Sequence, residues 1–284
     1  MLKETKNLCQ LYDFKPSRSK AQNFLINQSV YDRIIKVATV NKKSRVLEVG
    51  PGWGFLTLAL AQQAQQVLAV ELDDRLAEIL ESRLSMEAVD NVQVINANIL
   101  DWPHLLELPT TWLKQPYQVV ANLPYNITSV FLRRFLELSQ RPLSLVLLLQ
   151  KEVAERLVAK PGEMSLLSVS VQYYSQPELL FLVKAKNFYP APKVDSAVVK
   201  LVTKRDAELP LSTSDTVLFF RLCRLGFAAK RKMLKNNLAV GLKIEQTVII
   251  EQLIQAGLSA KIRPQNLSVA DWLKLFGELR QFMV

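Results

Sequence analysis

Between residues 45 and 150 the hydrophobic positions gather into short runs separated by amphipathic stretches. RVLEVG (45–50), VLAVELD (67–73), VQVINAN (92–98), YQVVANLP (117–124) and LSLVLLLQ (143–150) are rich in Val, Leu and Ile, and their length predicts strands. The apolar spacing over 55–63, 75–86 and 129–138 predicts helices between them. Strands apolar on both faces and separated by helices imply a mostly parallel sheet covered on both sides, an α/β fold. Two later runs, 169–185 and 194–202, also predict strands. They follow each other without a full helix between them, which implies an antiparallel edge added to the sheet.

After Val202 the pattern changes. Residues 203–215 are polar and contain Pro, Ser and Thr, which marks a linker. Helical periodicity then returns at 216–227, 230–240, 246–256 and 269–279, and Ser268 with Asp271 forms a capping pair for the last stretch. The expected organisation is an α/β domain over 1–205 and a small all-helical domain over 206–284.

Composition narrows the class. Of 284 residues, 49% are hydrophobic, enough for a large core without disulfides or a structural metal. Cys9 and Cys223 are too far apart in sequence for a metal knuckle, and a reducing, cytoplasmic setting is expected. The polar start reads as no signal peptide, and the longest apolar run, 145–149, is too short to cross a bilayer; a soluble, non-membrane protein is expected. Lys and Arg number 36 against 26 Asp and Glu, an excess that a phosphate-rich partner would explain. The single histidine, His104, follows a proline in a loop and has no nucleophile or carboxylate set around it that reads as a triad.

Candidate chemistry lies at the strand ends. Gly50, Gly52 and Gly54 occupy a strand-to-helix turn, where glycine permits sharp bending and close approach of a ligand. Such a turn serves NAD or S-adenosylmethionine, and alone it discriminates weakly. Glu71, about twenty residues on, ends the second strand and can accept both ribose hydroxyls of a nucleoside. Asn98 ends the third and offers an amide donor and acceptor to an adenine edge. The two-residue step from Gly52 to Gly54, where the dinucleotide fingerprint has three, argues against NAD.

The fourth strand ends in Asn122, Leu123, Pro124 and Tyr125. An aromatic exocyclic amine is a poor nucleophile because its lone pair is delocalised. Two acceptors, the Asn122 side-chain oxygen and the Leu123 carbonyl, would take its two protons and favour a pyramidal nitrogen. Pro124 stiffens the turn and keeps Leu123 out of helical geometry, and Tyr125 would stack on the base. Phe188, in a second aromatic and proline cluster, could cover the opposite face of that base or pack in the core. Basic residues concentrate in an N-terminal arm carrying Arg18 and Lys20 beside Gln22 and Asn23. A second cluster, Lys230, Arg231, Lys232 and Lys235, stands at the start of a helix, and both suit contact with RNA phosphates.

Taken in order, QNFL (22–25), EVGPGWGFLT (48–57), VELD (70–73), NLPYNIT (122–128), LQKEVAERLVAKPG (149–162), FYPAPKVDSAVVKL (188–201) and KRKMLKNNL (230–238) resemble the ribosomal RNA adenine N6,N6-dimethyltransferase family, bacterial KsgA (RsmA) type. That resemblance implies a Rossmann-like S-adenosylmethionine-dependent methyltransferase domain followed by a small helical domain. It implies dimethylation of two adjacent adenosines in the 3′-terminal hairpin loop of small-subunit (16S) rRNA, within an immature 30S particle, by a monomer needing no obligate protein partner and no metal. Cofactor contacts then fall on Asn23, Leu25, Gly50, Gly52, Glu71, Asn98 and Asn122, and target-base contacts on Asn122, Leu123, Tyr125 and Phe188. The chain departs from the family at Ala21, where Gly is usual, and at Asn98, where Asp is usual. Two other readings remain: a large-subunit rRNA adenine methyltransferase of antibiotic-resistance type, and a non-enzymatic RNA-binding assembly factor.

Overall fold

The computed structural model describes residues 1–17, 22–105, 112, 115–229 and 231–283. It resolves into two compact units, one of residues 1–154 with 176–203 and one of 155–175 with 204–284.

The first unit is built on a seven-stranded sheet. Its strands are β2 (Arg45–Val49), β3 (Gln66–Glu71), β4 (Val92–Asn96), β5 (Gln118–Asn122), β6 (Ser144–Gln150), β7 (Ser175–Val183) and β9 (Ser196–Thr203), in the order β4-β3-β2-β5-β6-β9-β7. The predicted strands at 45–150 are all present, and their pairings from β4 to β6 are parallel. β9 runs antiparallel to β6, with Gln150 opposite Ser196, so the expected antiparallel edge is there. Helices α2 (Gln28–Ala38), α3 (Phe55–Ala61), α4 (Asp74–Met86) and α5 (Thr128–Glu137) belong to the same unit, and α6 (Lys151–Leu157) includes the 154/155 division. α4 begins where Asp73 accepts the Leu76 N–H, a side-chain cap that satisfies one of the otherwise orphaned first-turn donors. Val46, Leu47, Val67, Leu68, Val119 and Val120 are all wholly buried, as a sheet covered on both faces requires.

Strand order sets the location of chemistry. β2 lies between β3, which continues the sheet one way, and β5, which continues it the other. A parallel sheet whose connections reverse at one point leaves a crevice outside the carboxyl ends of the two central strands. That crevice lies where β2 ends before Gly50 and β5 ends at Asn122.

One local expectation is corrected. Residues 169–174 were expected to be strand but belong to helix α7 (Leu166–Tyr174), and only from Ser175 does the chain become extended. Ser165 caps α7 by accepting the Ser168 N–H, and that cap outweighs the β-rich composition of VSVQYY. The chain passes between the two units at 154/155, 175/176 and 203/204. Ahead of the basic N-terminal stretch lies α1 (Leu2–Leu11), and after it β1 (Phe24–Leu25) forms a two-stranded ribbon with β8 (Phe188–Tyr189).

The second unit contains α7, α8 (Thr213–Gly226), α9 (Leu234–Leu242), α10 (Gln246–Gln255) and α11 (Val269–Leu279). Its centre is aromatic: Tyr173 stacks on Phe219 at 5.2 Å, and Phe219 meets Phe276 edge-on at 5.9 Å. The predicted capping pair closes as a box, Ser268 accepting the Asp271 N–H while Asp271 accepts the Ser268 N–H. Among the described residues no helix is long and apolar enough to cross a membrane.

Candidate active site

A cleft of about 180 Å³ opens at that crevice, lined by the residues that end β2, β3, β4 and β5 and by Gln22, Asn23 and Phe24 from the N-terminal segment. Its floor is the turn after β2. Gly50, Gly52 and Gly54 all take the left-handed backbone, at φ +65°, +57° and +79°, which side chains disfavour. Space agrees with torsion. A Cβ on Gly52 would sit 3.0 Å from the Phe24 ring, and one on Gly54 would run into Leu80.

Glu71 is the electrostatic centre of the side of the cleft formed by β2 and β3. It is 6% exposed, and its carboxylate accepts the Gly52 N–H at 3.0 Å and the Asp73 N–H at 2.9 Å. Burial pushes its pKa up, while those two amides pull it back toward the charged form. Two amides leave lone pairs on a carboxylate with four acceptor sites, so vicinal hydroxyls can still bind there. Asn98, exposed at the rim, accepts the Leu100 N–H through Oδ1 at 3.0 Å and so caps the following turn. That bond holds the amide oxygen to the backbone and presents Nδ2 as the ready donor.

Asn122 sits at the last position of β5. Its Nδ2 donates to the Asn23 carbonyl at 3.3 Å, which ties the N-terminal segment to the turn at Asn122–Tyr125 and directs Oδ1 to the opposite edge of the amide. The Leu123 N–H donates to the Leu148 carbonyl at 3.3 Å, fixing the peptide plane at the strand exit. A Cβ on Gly50 would lie 3.7 Å from Pro124 Cδ, so the glycine turn and the Asn122–Tyr125 segment are in van der Waals reach. Tyr125 is half-buried with its hydroxyl 2.7 Å from Ser196 Oγ, and burial raises its pKa.

Gly50, Gly52, Glu71, Asn98, Asn122, Leu123, Tyr125 and Asn23 thus meet in one cleft. Leu25 and Phe188 do not reach its wall. They are 1% and 3% exposed, pair with each other across β1 and β8, and pack into the core with Val30, Ile34 and Val183. The ordinary physical reason is that a two-strand ribbon laid on the sheet must bury its inward face, and the inward face here carries both side chains.

Of the basic residues singled out, Arg18, Lys20 and Lys230 lie outside the described residues, as does Ala21. Arg231 and Lys232 are exposed in the turn before α9, not in a helix, and Lys235 is half-buried in the first turn of α9. Asn237 holds that turn by donating to the Gly226 and Ala229 carbonyls at 2.6 and 3.1 Å.

Sequence reasoning placed Gln22 in the arm beside the site but missed Asp73 as part of it. Gln22 accepts the Ser17 N–H at 2.7 Å and donates to Asp73 at 3.2 Å, a latch across the mouth of the cleft. The signal for Asp73 was its place before an amphipathic helix, the position of a cap. The N-terminal segment is further held by an aromatic group on the glycine turn, with Phe14 and Phe24 5.2 and 5.4 Å from Trp53, and by Arg75, which donates to the Tyr12 carbonyl at 2.6 Å.

Comparison with known proteins agrees with this geometry. The sequence profile of the family described as "Ribosomal RNA adenine dimethylase" matches residues 14–281. The chain is 41% identical over 277 residues to "Ribosomal RNA small subunit methyltransferase A" of Dehalococcoides mccartyi (strain CBDB1), covering 97% of this chain and 92% of that one. It is 40% identical over 288 residues to the protein of the same name from Streptococcus equi subsp. zooepidemicus, covering 98% and 96%. Among solved structures it is similar to a dimethyladenosine transferase from Plasmodium falciparum, with TM-score 0.76, 26% identity and coverage of 91% and 98%. It is also similar to the 23S rRNA methyltransferase ErmE, with TM-score 0.71, 30% identity and coverage of 91% and 100%. The fold is that of a Rossmann-like S-adenosylmethionine-dependent methyltransferase with a C-terminal helical unit, and the chain belongs to the ribosomal RNA adenine dimethylase family.

Proposed function

We propose that this protein transfers methyl groups from S-adenosylmethionine to N6 of two adjacent adenosines in the 3′-terminal hairpin loop of small-subunit rRNA. It would act on an immature 30S particle in the cytoplasm. The observation that carries the reading is the meeting of Asn122, Leu123 and Tyr125 with the Gly50–Gly52–Glu71–Asn98 surface in one cleft. Family membership supports rRNA adenine as the acceptor, and the names of the bacterial relatives support the small subunit.

The residues fit the cofactor. A cradle that a Cβ at Gly52 would crowd, a buried carboxylate already oriented by two amides, and an amide donor at the rim match a nucleoside with vicinal hydroxyls and a purine edge. Glu71 would hold the ribose, Asn98 the adenine edge, and Gly50 and Gly52 the close approach of the chain. When bound, S-adenosylmethionine supplies an electrophilic methyl group on a sulfonium.

The chain's own part is orientation. In the first transfer Asn122 Oδ1 and the Leu123 carbonyl accept hydrogen bonds from the two N6–H groups of the target adenine, which favours a pyramidal nitrogen with a directed lone pair; in the second a single N–H remains for one of them, and the proton that N6 sheds at each transfer passes to water. Tyr125 stacks on the base and sets its plane, so that little rotational freedom remains to be lost at the moment of transfer. Phe188 contributes from below by holding the β1–β8 ribbon that carries Phe24 to the cleft. A base in a duplex would have to leave its stack to enter, so an exposed loop nucleotide is the less costly acceptor. The exposed Arg231 and Lys232, with Lys235, would meet RNA phosphates.

The similarity to ErmE favours one alternative acceptor, large-subunit rRNA. Incubating the purified protein with labelled S-adenosylmethionine and either immature small subunits or unmodified large-subunit RNA decides between them. Dimethyladenosine at adjacent positions near the small-subunit 3′ end is the expected product. Label confined to large-subunit RNA, or RNA binding without transfer to either, overturns the proposal.

A further inference from the structure

Ser196 lies outside the cleft, wholly buried, and takes no part in the activation of the acceptor described above. Its Oγ is nevertheless 2.7 Å from the hydroxyl of Tyr125, the residue assigned to stack on the target base. A stacking ring works by its tilt as well as its position. A tyrosine at a strand exit has two side-chain torsions to settle, and burial of half the ring fixes them only in part.

The serine end of this bond is anchored on several sides. Ser196 is the first residue of β9, paired with Gln150 of β6, and β6 in turn pairs with β5, which ends at Asn122 opposite Leu148. Immediately before it, Asp195 accepts the Lys151 N–H through its carbonyl at 3.0 Å. The Asp195 carboxylate accepts the Ala185 N–H and the Lys184 ammonium, each at 2.9 Å. The backbone that carries the hydroxyl Tyr125 meets is thus fixed by the sheet and by a braced loop.

We propose that Ser196 is a positioning residue for methyl transfer: through its bond to the Tyr125 hydroxyl it sets the tilt of the stacking ring before the base arrives. The proposal rests on the proposed role of Tyr125. It also gives the tyrosine hydroxyl a use that no stacking role explains, since a phenylalanine would stack as well. A hydroxyl engaged with a buried serine, on a ring whose burial raises its pKa, is a tether and not a proton carrier.

The test is a double-mutant cycle with Ser196→Ala, Tyr125→Phe and the pair. It uses the full chain, with whichever of the two RNAs accepts methyl groups from the unaltered protein. Each single change is expected to lower kcat roughly tenfold, as loss of one orienting hydrogen bond at a reacting centre does, with the KM for S-adenosylmethionine unchanged within about twofold. The pair is expected to be no worse than either single change, because both remove the same bond. Tyr125→Phe alters the bond from the cleft side and leaves the buried strand intact, so it decides the matter even if Ser196→Ala folds poorly. Full kcat in Tyr125→Phe, or losses that multiply in the pair, overturns the proposal. An unaltered protein that methylates neither RNA would instead overturn the function proposed above, and with it the role of Tyr125.

Discussion

The two halves of the cleft are built by different means. On the proposed cofactor half the Glu71 and Asn98 side chains stand on a backbone frame: three left-handed glycines, and the Gly52 and Asp73 amides that hold Glu71. On the proposed acceptor half, beside the Leu123 carbonyl, the groups are side chains at the end of one strand, each steadied by a remote contact, Asn122 by the Asn23 carbonyl and Tyr125 by Ser196. A backbone cradle tolerates few substitutions because torsion and space both exclude them, and its cost is carried by the fold. A side-chain array keeps its fold when altered and loses rate. Changes on the acceptor half should therefore separate catalysis from stability, and changes beneath the cofactor half should join them.

The largest expected effect comes from Asn122→Ala. Loss of an acceptor aimed at a nitrogen whose charge changes during reaction should lower kcat on the order of a hundredfold to a thousandfold, in the range found for removal of one preorganised polar group. The melting temperature should stay within a few degrees, since Asn122 is half-buried and its one bond to Asn23 is long. Asn122→Asp sharpens the comparison. It keeps an acceptor but places an oxygen against the Asn23 carbonyl, so it should retain more activity than Ala while loosening the N-terminal segment. Methyl-transfer assays and thermal melts on both variants check this, and an Asn122→Ala protein with full kcat would remove the acceptor role.

A second effect links the cofactor half to stability. Glu48 lies on β2 before the glycine turn, is 2% exposed, and has its pKa pushed up to about 8 by burial, with the nearby Glu71 charge adding to the rise and Thr57 opposing it. The folded chain then holds a proton that the unfolded chain has released above the ordinary value of 4.5. Stability must fall as pH rises from about 4.5 toward about 8, and level off above. The slope from one such group approaches roughly 1.4 kcal/mol per pH unit at most. Denaturant unfolding between these limits should show the decline, and Glu48→Gln, which keeps the shape and cannot ionise, should remove most of it. The slope that persists would belong to Glu71, whose pKa is raised in the same direction.

The same contrast explains what could be read from sequence. Backbone requirements write themselves into residue type: a glycine at φ +65° before a helix and a carboxylate ending the next strand are visible as Gly50 and Glu71 in a string of letters. The Asn122–Tyr125 segment stood out because the proposed chemistry calls for those residues in that order. Ser196 was not, since a serine at a strand start carries no pattern of its own and its partner is 71 positions away. Phe188 was ambiguous for a related reason. An aromatic before a proline suits a cleft wall or a core equally, and only the β1–β8 pairing, which depends on the path of the N-terminal segment, turns it inward. Helix α7 was concealed by its Val and Tyr content, because a single cap at Ser165 decides against a propensity of a few tenths of a kcal/mol per residue.

The smallest effect expected is at Asn98, and it tests how far the rim of the cofactor half depends on charge. The pattern that the sequence resembles has Asp there. Asn98 uses Oδ1 to accept the Leu100 N–H and keeps Nδ2 for a ligand. Asn98→Asp preserves the cap, since either residue accepts equally well, and exchanges a donor for a negative charge on an exposed rim. Solvent and salt screen a charge so placed, and the cationic sulfonium would be the group it attracts. Affinity for S-adenosylmethionine should change by about fivefold at most, more at low salt than at high salt. Calorimetric titration at two ionic strengths measures this. A change of a hundredfold, insensitive to salt, would mean that Nδ2 makes an obligatory bond to the cofactor, and that the rim works by direct hydrogen bonding and not by its field.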